Sequence, residues 1–182
     1  MNRLQRAAVL LTLLAALKQR GSWCGETHLQ KSVYFLQELL GVDLGFPFVL
    51  YRHGPYSFDL SDEITALRAD LLLNVKLRLP YGPSLEPSES AGGLLANFEQ
   101  TRRLHQSAVD FVADRLAQHK VIDLERLATA LYVTREPGRN RDSSARAARL
   151  NELKPHIDLG NATHAIEDVD AICSAAKALG NS

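Results

Sequence analysis

The sequence predicts a mainly α-helical protein with a small antiparallel β-hairpin, an α+β chain in which helices dominate. Two observations carry this. Apolar residues recur at three-to-four spacing through most of the 182 residues, the period of a helix with one buried face. Only residues 46–52 and 72–79 depart from it, the first as an apolar run and the second by alternation, the period of a half-buried strand. With 46% apolar and 23% charged residues the composition is that of a globular chain. A single domain over 1–182 is expected, with a β-bearing half at 1–80, a loop at 81–92 and a helical half at 93–182.

The elements follow in order. A first helix over 2–19 is apolar nearly all round, as a central helix would be. A second, 26–40, places Leu29, Val33, Leu36 and Leu40 on one face and ends at Gly41. Lys31 on this helix is expected to point to solvent with its stem packed on the surface. The strand at 46–52 runs into Gly54-Pro55, a turn that opens directly into a helix at 57–69. A second strand fits 72–79, where Leu73, Val75, Leu77 and Leu79 alternate with Leu72, Asn74, Lys76 and Arg78. The stretch 80–90 is rich in Pro, Gly and Ser and reads as a loop or wing. Helices are then expected at 93–118, 123–134, 142–153 and 163–179. The order helix, helix, strand, helix, strand makes the N-terminal half winged-helix-like.

Charge and cysteine content narrow the function. The 21 basic and 21 acidic residues balance, so no global field draws the chain to nucleic acid or to an anionic membrane. Cys24 and Cys173 cannot alone build a disulfide framework or a four-ligand zinc site. No metal and no cofactor is expected, and reduced thiols suit a cytoplasmic protein. Cys24 and His28 stand four apart, too few ligands for a metal centre. The apolar run 7–17 behind Arg3 and Arg6 imitates a leader peptide. It is followed by Lys18-Gln-Arg20 rather than by small residues, and it reads as a buried helix.

The segment with the most deliberate order is Tyr51-Arg-His-Gly-Pro-Tyr-Ser-Phe58. Gly54 can take a positive φ and Pro55 fixes its own, giving a rigid reversal. Ser57 can then cap the helix that follows. These three are the structural turn. Around it, Tyr51, His53, Tyr56 and Phe58 crowd amphipathic rings suited to contact with a protein partner.

The combination Leu29-Gln-Lys31 and Tyr34-Phe-Leu36, the Tyr51 to Ser57 motif with Leu60 and Ile64 after it, and Leu127-Ala-Thr-Ala-Leu-Tyr132 with Leu153-Lys-Pro155 resembles the YwgA-like bacterial and archaeal proteins. These look related to the group containing the phage-associated proteins and the Panacea-domain (SocA-like) antitoxins. The resemblance spans about residues 4–157, with His53 standing where that group often carries an aromatic residue. It implies a small cytoplasmic interaction protein, antitoxin-like or accessory to a phage-defence or mobile-element system. Its partner would be a toxin or defence component, and no catalytic residues carry over.

Nucleic acid is the alternative partner. The helix at 57–69, in the position of a recognition helix, carries Asp59, Asp62 and Glu63, with Asp70 just beyond it, against Arg68 alone, and phosphate would repel it. A second patch, Arg135, Arg139, Arg141, Arg146 and Arg149, supplies the forked guanidinium groups that suit phosphate. A transcriptional regulator using this patch and the wing is thus the second reading. Neither a phosphate-binding loop nor a triad motif is present, so no enzyme is expected.

Overall fold

A computed structural model describes residues 1–78, 82–137 and 142–179. It is mainly helical, with two separate two-stranded antiparallel sheets. The chain divides into two compact units, Met1–Phe48 with Ser57–His119, and Val49–Tyr56 with the chain from Lys120 onward.

The first unit is built on α1 (Arg3–Gln19), buried from Ala7 to Leu14 and again at Ala16 and Leu17. The near-absence of a polar face in this sequence is what makes it the central helix. A capping box starts it: the Asn2 side chain accepts from the Gln5 amide at 2.9 Å and Gln5 returns the bond to Asn2 at 2.9 Å. Around α1 pack α2 (Glu26–Glu38), the hairpin of β3 (Leu73–Arg78) and β4 (Gly82–Pro87), α4 (Ala91–Asn97) and α5 (Glu99–Leu116). Helix α3 (Phe58–Ala69) packs on β3.

Within this unit the elements follow in the order α1, α2, α3, β3, β4, α4, α5. The Leu85 amide donates to the Cys24 carbonyl at 2.8 Å. The short segment between α1 and α2 thus lies beside β4. Strand β4 corrects the loop expected over 81–92: Pro83 and Pro87 sit opposite Leu77 and Leu73 in the ladder with β3, in a strand whose other edge carries no ladder and only the Leu85 bond to Cys24 among the described residues. The helix expected over 93–118 is two helices, broken at Phe98, whose φ of −113° and ψ of 32° are not helical.

Lys31 is a further correction, being 1% exposed rather than solvated. The acidic third helix is also less bare than its sequence. Arg3 Nε lies 3.1 Å from Glu63, and its Nη2 lies 2.7 Å from Asp70.

The second unit contains the hairpin of β1 (Val49–Tyr51) and β2 (Gly54–Tyr56) with α6 (Val121–Arg135), α7 (Ser143–Leu153) and α8 (Leu159–Leu179). Helices α6, α7 and α8 pack on one another and β2 lies on α6. Their core is Leu124, Leu131, Ala147, Leu150, Ile166 and Val169. Here the strand expected over 46–52 is confined to three residues, and Gly54-Pro55 is a strand rather than the turn. The reversal falls on Arg52 and His53, with Tyr51 opposite Gly54 and Leu50 opposite Pro55. Among the described residues, no helix is long and apolar enough to cross a membrane.

Candidate functional site

The residues flanking the β1–β2 hairpin are held in the first unit by two glutamines of α2. Gln37 donates to the Phe46 carbonyl at 2.8 Å and accepts from the Phe46 amide at 3.0 Å. Gln30, fully buried, does the same for Ser57 at 2.9 and 3.0 Å. The two side chains are seven residues apart, two turns along one helix face. Each carboxamide imitates the paired bonds of a β-ladder, so backbone that leaves α2 and re-enters α3 is satisfied without a strand. The Tyr34 and Phe48 rings meet edge-on at 5.0 Å. Ser57 caps α3, its hydroxyl accepting from the Leu60 amide at 3.3 Å.

In the second unit the hairpin itself lies on α6. Gly54 has φ of +81°, and a Cβ placed on it would stand 2.9 Å from Thr129 Oγ1 and 3.3 Å from the Glu125 carbonyl. Both the backbone conformation and the closeness of α6 therefore require glycine. Thr129 cannot yield easily, because its hydroxyl donates to that same carbonyl at 2.8 Å. Beyond the C-terminus of α7, buried Lys154 turns its ammonium onto the carbonyls of Tyr51 and Arg52. Burial pushes the Lys154 ammonium below its ordinary range, against the attraction of Glu125.

Glu125 completes the site. Its side chain is only 7% exposed, yet each of its oxygens meets an imidazole: His53 Nδ1 at 3.3 Å and His156 Nε2 at 3.1 Å. Residues of 51–54, Glu125 with Thr129, and Lys154 with His156, far apart in sequence, thus converge around one turn. The Tyr51 and Tyr56 rings lie 5.9 Å apart, tilted by 42°.

Of the residues singled out from the sequence, Tyr51 is 48% exposed, His53 is exposed and Tyr56 is half-buried. Phe58 is exposed but belongs to the first unit, at the start of α3. Gly54, Pro55 and Ser57 are buried. The arginine group is not a set of open forks. Arg146 is buried and grips Asp170 with both terminal nitrogens at 2.7 Å. Arg149 lies 3.4 Å from Glu136 and 2.8 Å from Glu152. Arg135 is exposed, whereas Arg139 and Arg141 lie outside the described residues.

Sequence reasoning missed Glu125 and His156 and the roles of Gln30, Thr129 and Lys154. A signal existed for Glu125: with Leu124, Ala128 and Leu131 it sits inside the apolar stripe of α6, where an acid needs a partner.

Among the described residues, no group of three or more His, Cys, Asp or Glu could hold a metal ion. Cys24 is buried, with its thiol pushed up by burial, and His28 points Nε2 at the His119 carbonyl, 3.1 Å away. No family model matches the chain, and no curated protein matches its sequence.

Proposed function

We propose that this chain is a non-enzymatic, cytoplasmic protein-interaction module whose contact surface is the β1–β2 hairpin. By its motifs it would be antitoxin-like, or accessory to a phage-defence or mobile-element system, with a toxin or defence component as partner. One observation carries the proposal. The hairpin backbone is clamped by Lys154 and seated on α6 through Gly54, while Tyr51 and His53 stand in solvent at its turn. Rings on a backbone already ordered lose little entropy on binding, and aromatic anchors of this kind dominate protein interfaces.

The nucleic-acid reading has less support. The guanidinium groups of Arg146 and Arg149 are engaged by carboxylates, so fewer remain to neutralise phosphate.

The test is affinity capture from the native host with wild type and with Tyr51→Ala, Tyr56→Ala and Phe58→Ala, each checked for folding. The reading expects a specific co-purifying protein that the Tyr51 and Tyr56 variants lose. Retention of every co-purifying protein by all three variants places the contact elsewhere.

A further inference from the structure

The two imidazoles on Glu125 set which chemistry the hairpin turns outward. A carboxylate anion offers only acceptors. The ring nitrogens facing it therefore carry protons, Nδ1–H on His53 and Nε2–H on His156. A neutral imidazole has one N–H, so His53 Nε2 and His156 Nδ1 carry lone pairs. The two rings are 75% and 57% exposed. Among the described residues, neither lone pair receives a hydrogen bond.

Resting on the reading of the hairpin as a protein contact, we infer that this face meets its partner with hydrogen-bond acceptors, and that the partner supplies hydroxyl, amide or ammonium donors opposite His53 and His156. Glu125 is the positioning residue, because it selects the tautomer of both rings without itself reaching the surface. The same carboxylate–imidazole orientation serves buried histidines elsewhere by fixing which nitrogen is left open.

Long-range proton–nitrogen NMR at about pH 8.5, where free imidazole is neutral, reads the tautomers directly. Spectra of His53→Asn and His156→Asn assign the rings. The inference expects the Nδ1–H form at His53 and the Nε2–H form at His156, with at least one preference lost in Glu125→Gln, whose amide also donates. A dominant Nε2–H form at His53 overturns it, and the wild-type spectrum decides this even if Glu125→Gln does not fold.

Once a partner is captured, His53→Gln keeps an acceptor and should bind within about threefold of wild type. His53→Lys has only donors and should bind at least about tenfold more weakly; the reverse order overturns the inference. The two readings fail separately. Loss of capture on Tyr51→Ala with the wrong tautomers sinks only the acceptor face, whereas correct tautomers with capture unaffected by Tyr51 and Tyr56 sink only the contact surface.

Discussion

Replacing Gly54 by alanine tests the seat of the hairpin on α6, and its cost can be worked from the structure. At φ of +81° an L-residue is strained by about 1–2 kcal/mol. The added methyl stands 2.9 Å from Thr129 Oγ1, closer than side-chain carbons pack, and such crowding costs about 1–3 kcal/mol. The sum is about 3 kcal/mol, or a melting temperature lowered by about 6–12 °C in a chain of this size. Repeating the substitution in a Thr129→Ala background separates the terms. The hydroxyl is then gone and the nearest atom is the Glu125 carbonyl at 3.3 Å, so Gly54→Ala should cost only about 1–2 kcal/mol there. Urea and thermal unfolding of the four proteins supply the cycle. A Gly54→Ala protein within about 0.5 kcal/mol of wild type, the range of an ordinary surface change, would refute the positive φ. An equal cost in both backgrounds would refute the close approach to Thr129.

Gln30→Ala should destabilise by about 1–3 kcal/mol, because it strands the amide of buried Ser57, whose carbonyl keeps the bond from the Ser61 amide; chemical denaturation measures it. Burial holds the His28 imidazole below its ordinary value, only partly opposed by the His119 carbonyl, so the folded chain binds fewer protons there than the unfolded chain. Stability should then fall as pH drops through about 6.5, more steeply in wild type than in His28→Phe, and parallel profiles between pH 7.5 and 5.5 would contradict this. Fluorescence anisotropy with random duplex DNA at physiological salt should give a Kd no tighter than about 10⁻⁴ M. A micromolar complex lost in Arg135→Ala/Arg139→Ala/Arg141→Ala would move the function to nucleic acid.

Much of the fold was legible because long helices announce themselves through apolar period. Helix α1, all but free of a polar face, could only be central, and the three-to-four spacing located α2, α6, α7 and α8 to within a few residues. Strands were harder. β4 carries Pro83 and Pro87, residues that argue against a strand unless one edge is left unpaired, and that condition belongs to the ladder rather than to the segment. The hairpin was misread for a related reason. Gly54-Pro55 looks like a turn in isolation, but the glycine is needed because α6 leaves no room for a Cβ, so the reversal moves to Arg52-His53.

Charged residues show where a single sequence stops being informative. Lys31 and Arg146 look like members of a solvated helix face, Lys154 like the polar end of a helix and Glu125 like an acid misplaced in an apolar stripe, and all four are buried. What buries three of them is a partner far along the chain: the Tyr51 and Arg52 carbonyls for Lys154, two histidines for Glu125, Asp170 for Arg146. A charge leaves water only when such partners replace the solvent, and local pattern cannot supply them. The candidate site inherits this limit. Its exposed rings were visible as a crowd of aromatics around a glycine, whereas the groups that hold the backbone beneath them come from α6 and the end of α7. A buried acid inside an apolar stripe, as at Glu125, is therefore the most useful sequence cue to such a site, since it demands a donor and directs the search to the histidines and lysines that could provide one.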